Sequence, residues 1–242
     1  MPETSDLLFS THQLCLGYED TTIVRNLSFS VPKGALVGIV GPNGSGKTTL
    51  LETLATKAVP QDGLIQGLST CSVAYLPQRC SMDRSFPLTV RDLVGSGLWT
   101  NLGLFAPFLK KHKQTTLDAL QQTGISSFSH ALLSSLSGGQ FQRALFSRII
   151  AQNAQLLLLD EPLTGLDEPT AESLLKIIKK WNKDGKTILA TLHDAKLVKS
   201  LCSHTLLLAR DFSRWGPTEK VMTPSNLERA YDASHEWGEC AC

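Results

Sequence analysis

Apolar and polar positions alternate with two different periods along this chain. Leu27, Phe29 and Val31 are separated by single serines, the period of a strand with one buried face. A turn at 32–34 follows, and the unbroken apolar run "ALVGIV" at 35–40 predicts a strand covered on both faces. Similar runs at 72–76, 155–159, 187–191 and 205–209 predict four more. Between them the period changes. Leu50, Leu51, Leu54, Ala55 and Ala58 recur at helical spacing, as do Leu174, Ile177, Ile178 and Trp181. Strands alternating with helices predict an α/β domain built on a mainly parallel sheet.

From about 87 to 152 the alternation stops. The patterns at 88–98, at 115–124 (closed by Gly124) and at 138–152 all read as helices, the last with Phe141, Leu145 and Ile149 on one stripe. This predicts a helical subdomain inserted into the α/β core, with "KKHK" at 110–113 as a solvated connection between its helices. The expected organisation is one domain over 1–232, with a core of about 7–86 and 153–232, a helical part of about 87–152, and a tail at 233–242.

Two stretches carry chemistry. "GPNGSGKTT" runs through Gly41, Pro42, Asn43, Gly44, Ser45, Gly46, Lys47, Thr48 and Thr49, between an apolar strand and a helix. That context makes it a phosphate-binding loop. Glycines let successive N–H groups turn inward around a β-phosphate, and the helix start adds its positive end. Lys47 is then placed for the β- and γ-phosphates and the Thr48 hydroxyl for Mg²⁺. "LLLLDEP" at 156–162 puts Asp160 at the carboxyl end of a strand, where α/β sheets bind ligands. Asp160 is the expected partner of Mg²⁺ through water, and Glu161 the candidate to orient or deprotonate the attacking water. The other reading of these two acids is a cap on the next helix.

A third stretch, "LSGGQ" at 136–140, is a serine with two glycines ahead of a helix, a second place where backbone and hydroxyl could close on an anion. With these three stretches in this order, nearly the whole chain, about residues 8 to 232, resembles ABC-type ATPase subunits. The resemblance implies a P-loop core with an N-terminal antiparallel β portion and an inserted helical subdomain. It also implies roles. Tyr18 in "LGYED" corresponds to the adenine-stacking aromatic. Gln78 in "YLPQ" corresponds to the glutamine that senses Mg²⁺ and the partner's position. Asp167 in "LTGLD" lies at the subunit boundary, and His193 in "TLHDA" contacts the γ-phosphate. Ser137, Gly138, Gly139 and Gln140 would grip the ATP held by a second copy, so that two nucleotides are sandwiched in a head-to-tail homodimer.

The bulk numbers narrow the setting. With 23 basic and 22 acidic residues the net charge is +1, so nothing suggests broad binding to nucleic acid. No apolar run approaches the roughly 20 residues of a membrane span, and "MPETSDLLFS" is not a secretory signal. Six scattered cysteines without a CxxC pair suit a reduced compartment. A transport ATPase of this kind therefore needs a separate membrane permease, and sits peripherally on the cytoplasmic face of the membrane. A substrate-binding protein takes part indirectly. The apolar segment Phe86, Leu88, Val90, Leu93, Val94, Leu98 and Trp99 is expected to be mostly core, with a few members lining a groove for a short permease helix.

"PQRCSMDRSFPLTVRDLV", "EPLTGLD" and "GPTEKVMTPSNLERAY" are similar to the zinc/manganese branch of metal-uptake ABC ATPases. The alternative is an iron, siderophore or haem importer, whose ATPases share the "LTVRDLV" kind of sequence. A DNA-repair ATPase would need a long coiled coil where only residues 79–135 intervene, and a translation factor would need two motif sets. A nucleotide-gated protein without turnover is disfavoured by Glu161 and His193. The tail offers His235, Glu236, Cys240 and Cys242 as zinc-type ligands, although two incidental cysteines are the simpler account. His12, His112, His130 and His204 lack ligand spacing and read as loop or surface residues.

Overall fold

The computed structural model describes residues 6–18, 21–78, 86–99, 109–209 and 212–235. The chain divides into two compact units. One comprises 1–78, 155–162 and 182–242, the other 79–154 and 163–181.

The first unit contains two sheets. Strands β1 (Leu7–Tyr18) and β2 (Thr21–Pro32) pair antiparallel, and β3 (Leu36–Val40) enters the second sheet. Helix α1 (Lys47–Thr56) follows, then β4 (Asp62–Gln66), which pairs with β1, and β5 (Val73–Leu76). The three-stranded antiparallel sheet thus has the order β2-β1-β4. Leu50, Leu51 and Leu54 of α1 are buried, in one cluster with Phe9 and Phe29 of the antiparallel sheet and Leu158 and Leu206 of the other. Each fully buried leucine contributes about 1.5–3 kcal/mol. α1 ends at Lys57 in a left-handed conformation, so Ala58 lies beyond the helix that its spacing predicts.

The second unit is helical. α2 (Val90–Ser96) starts at a capping box in which Thr89 accepts from the Asp92 N–H and the Asp92 carboxylate accepts from the Thr89 N–H. α3 (Lys110–Gln122) begins earlier than the sequence predicts. "KKHK" is its first turn and not a connection: its three lysines are exposed as expected, but the His112 ring is buried and its Nδ1 accepts the Leu109 N–H at 3.0 Å. α4 (Gly138–Gln152) buries Phe141, Leu145 and Ile149 as the stripe predicts.

β6 (Leu156–Leu159) returns the chain to the first unit. α5 (Glu168–Lys183) groups with the helical unit through Trp181, whereas the sequence places 163–181 in the core. Packing explains the difference: Trp181 stacks on Phe146 of α4 with ring centroids 5.3 Å apart. Arg143 of α4 also donates to Ser173 Oγ at 3.1 Å.

The remaining elements belong to the first unit. They are β7 (Thr187–Thr191), α6 (Ala195–Leu201), β8 (His204–Ala209), β9 (Phe212–Pro217), α7 (Thr218–Val221) and α8 (Pro224–His235). The six-stranded sheet has the order β5-β6-β7-β3-β8-β9. It is parallel throughout except for β9, which runs antiparallel to β8. His204 is not a loop residue but opens β8, with its ring stacked on Trp215 at 5.4 Å. Among the described residues Cys15, Cys71 and Cys202 are free thiols, and burial pushes the Cys202 thiol up to about 12.

Candidate active site

The strand order brings the motifs together. β6, β7 and β3 are adjacent and parallel, so the segments after their carboxyl ends open side by side. They are the acids 160–161, the segment after Thr191 that carries His193, and the loop from Gly41. β5 flanks β6 and delivers Gln78 to the same edge. A cleft of about 450 Å³ results, lined by Asn43, Gly44, Lys47, Gln78, Glu161 and His193 among others.

The loop closes because only glycine fits two of its points: a Cβ at Gly41 would stand 1.9 Å from the Leu208 carbonyl oxygen. Gly46 caps α1 at φ 93°, and a Cβ there would stand 2.4 Å from a Val24 methyl. Lys47 is buried. Its ammonium donates to the carbonyls of Gly41 (3.0 Å) and Pro42 (2.7 Å), which leaves one N–H of three for a ligand. Burial holds its pKa below the usual lysine value, opposed by the charges of Glu161 and Asp160. The Ser45 hydroxyl is buried in the same loop and has no hydrogen-bond partner. An orphaned hydroxyl beside a helix start is what a bound phosphate would satisfy.

The acids form a connected array. Thr48 Oγ1 donates to Asp160 Oδ2 at 2.7 Å, and Thr191 Oγ1 donates to Asp160 Oδ1 at 2.8 Å. The Thr191 hydroxyl also accepts the Glu161 N–H at 2.6 Å. Glu161 adopts φ 47°, a left-handed backbone that costs a side-chain-bearing residue about 1–2 kcal/mol. Its Oε1 lies 2.9 Å from His193 Nε2, and the imidazole is half exposed to the cleft. Hydroxyl and carboxylate oxygens converging at Thr48 and Asp160 are hard donors of the kind Mg²⁺ takes, so these residues fit that ion. Thr191 escaped the sequence reading. A polar residue closing an apolar strand at its carboxyl end was the available signal.

The helical unit holds the other stretch. Ser137 caps α4: its Oγ accepts the Gln140 N–H at 3.3 Å, and Gln140 Oε1 accepts the Ser137 N–H at 2.9 Å. Gln140 therefore fixes the loop within its own chain. The Ser137 hydroxyl uses a lone pair on the cap and keeps its hydrogen to donate. Ser137 and Gly138 are exposed, with open space where a Gly138 Cβ would be. Asp167 caps α5, accepting from the Thr170 N–H (2.8 Å) and hydroxyl (3.0 Å), and those bonds hold its carboxyl below the ordinary carboxylate value. Tyr18 ends β1, and its side chain lies outside the described residues, as do those of His235, Glu236, Cys240 and Cys242.

A groove of about 830 Å³ also opens on this unit, lined by Leu88, Thr89, Leu93, Trp99, Lys113 and His130 among others. Val90, Leu93, Val94 and Leu98 are core, while Phe86 and Trp99 are 61% and 62% exposed. Among the described residues no helix is long and apolar enough to cross a membrane.

A glycine loop between strand and helix, with an acid closing a nearby parallel strand, defines a P-loop nucleoside triphosphatase. Residues 24–164 match the ABC transporter family, and the chain belongs to that family as an ATP-hydrolysing member. It is 36% identical to the manganese transport system ATP-binding protein MntB of Listeria monocytogenes, over 90% of this chain and 93% of that one. Among solved structures, an ABC transporter of metal-chelate type in an inward-facing conformation superposes with a TM-score of 0.84 at 29% identity, covering 94% of this chain and 89% of that one. A nucleotide-free ATP-binding cassette from an ABC transporter gives 0.77 at 18% identity, over 93% of this chain and 98% of that one, and so supports the fold alone.

Proposed function

We propose that this chain is the ATPase subunit of an importer that takes up a divalent metal ion, manganese or zinc, through a separate membrane permease. The ATPase reading rests on the array Thr48–Asp160–Thr191–Glu161–His193 around the phosphate loop. The cargo rests on the similarity to the Listeria manganese protein.

In this reading ATP lies along the loop from Gly41 to Thr49, with its adenine against Tyr18. Lys47 and the Ser45 hydroxyl bind phosphate oxygens. Thr48 and Asp160 would hold Mg²⁺, with Gln78 near it, and the ion offsets phosphate charge when bound. Glu161 accepts a proton from the attacking water, and His193 orients that carboxylate and reaches the γ-phosphate. Ser137, Gly138 and Gly139 of a second copy complete the site, their serine donating to the γ-phosphate and their helix start facing it. Asp167 lies where the two copies meet. Loss of the γ-phosphate removes the bridge, and the dimer opens.

The groove beside Trp99 suits a short permease helix, since its lining combines the apolar Leu88, Leu93 and Trp99 with the charged Arg91, Asp92 and Lys113. In this reading the protein sits peripherally on the cytoplasmic face of the membrane, with a binding protein acting beyond it. An iron or haem chelate is the second reading, favoured by the likeness to the metal-chelate type transporter. Vesicles carrying the chain with its membrane partner decide between them. ATP-driven accumulation of Mn²⁺ or Zn²⁺ supports the proposal. Uptake of a ferric chelate without either ion overturns it.

A further inference from the structure

We propose that Thr191 is a positioning residue that aims the Glu161 carboxylate at the attacking water. This rests on the reading of Glu161 as the proton acceptor. Thr191 is the last residue of β7 and is almost fully buried, side by side with Ile39 of β3. Its hydroxyl is used in both senses. The single hydrogen goes to Asp160 Oδ1 at 2.8 Å, and the oxygen receives the Glu161 N–H at 2.6 Å.

Those two bonds join consecutive acids with opposite requirements. Asp160 continues from an extended strand, while Glu161 turns into the left-handed region at φ 47°. The hydroxyl anchors the peptide at that turn, on the side of the strand whose continuation carries His193. The bend between Asp160 and Glu161 then sends one carboxylate toward Thr48 and the other to His193 Nε2. An apolar side chain of the same shape would leave the Asp160 oxygen and the Glu161 N–H without this partner. The turn would keep its place but lose its fixed direction.

The test uses Thr191→Val and Thr191→Ser in the full-length chain, assayed at protein concentrations that support the ATP-bound dimer. Thr191→Val is expected to lower kcat by roughly 10- to 100-fold, with the Kd for ATP changed little. Thr191→Ser retains the hydroxyl and is expected to restore most of the rate. In a Glu161→Gln background, Thr191→Val should cost nothing further, because the carboxylate it aims is gone. Wild-type turnover in Thr191→Val, or a serine variant as slow as the valine one, overturns the proposal. If Glu161→Gln itself hydrolyses ATP at the wild-type rate, the reading of Glu161 fails instead. Should Thr191→Val not fold, hydrogen exchange of the Glu161 amide in the wild-type chain decides. Strong protection supports the anchor, and exchange at the rate of an open loop overturns it.

Discussion

His193 Nε2 stands 2.9 Å from Glu161 Oε1, so the cleft's base candidate is held from both ends, at its backbone by Thr191 and at its carboxylate by the imidazole. Glu161→Gln keeps the shape and removes the basicity. Its kcat is expected to fall by roughly 100- to 10,000-fold, the usual worth of a positioned proton acceptor. ATP affinity should persist, and size-exclusion chromatography with ATP should show an accumulated dimer. His193→Ala is expected to slow turnover in the same direction, since the carboxylate loses its orienting partner.

Lys47 is a charge kept in a poor solvent. Its ammonium is tied to two loop carbonyls while burial pulls its pKa down. Lys47→Ala is expected to weaken ATP binding by roughly 10- to 100-fold or more, measured by equilibrium titration. The ligand-free chain should unfold at nearly the wild-type temperature, because a desolvation cost disappears together with the bonds.

Gly138→Ala separates folding from assembly. The added methyl meets nothing within 4 Å in its own chain. Thermal unfolding should be close to wild type, while ATPase activity should drop at least tenfold if a second copy's nucleotide must approach that spot. Gly139→Ala is the companion test, as its Cβ would meet the Thr170 side chain in ordinary contact at 3.4 Å.

Asp167 gives a pH signature. Its carboxyl titrates below the ordinary carboxylate value because the Thr170 N–H and hydroxyl bond its charged form. A depressed folded-state value means stabilisation that is complete above the unfolded value and is lost as pH falls through the folded one. Amide exchange in the first turn of α5 should therefore accelerate on acidification below the normal carboxylate range. In Asp167→Asn that acid-dependent step should be reduced.

Phe146 is fully buried and stacked on Trp181. Phe146→Ala is expected to cost about 3–5 kcal/mol, read from denaturant-induced unfolding.

The sheet's interior was legible because β3 and β6–β8 are covered strands that read as nearly unbroken apolar runs, while β5 at the sheet's edge buries only alternate residues. β1 was not. Its buried positions run Phe9 and Thr11, then Leu14 and Leu16, because the ladder slips where Gln13 takes a left-handed φ of 48°. A bulge of this kind breaks the period of two on which a strand pattern depends. β4 and β9 are short edge strands, each with too little burial to leave a pattern. "KKHK" misled because polar side chains at a helix start look like a linker, and only the fold shows that His112 turns inward. The glycine loop, Asp160 and Glu161 were readable from local chemistry. The link among Thr48, Asp160 and Thr191 was not, since it joins segments that meet only through strand order.

That strand order also governs how the molecule comes into being. β3 is made early, yet both of its neighbours, β7 and β8, come from the last third of the chain, and Gly34 waits for Thr187, 153 positions later. Such distant pairings fold slowly and leave sticky edges open meanwhile. A nascent chain still on the ribosome without β7 therefore carries the complete glycine motif but no floor beneath it. Affinity for nucleotide is expected to appear only once β7 and β8 have been made, near the end of synthesis.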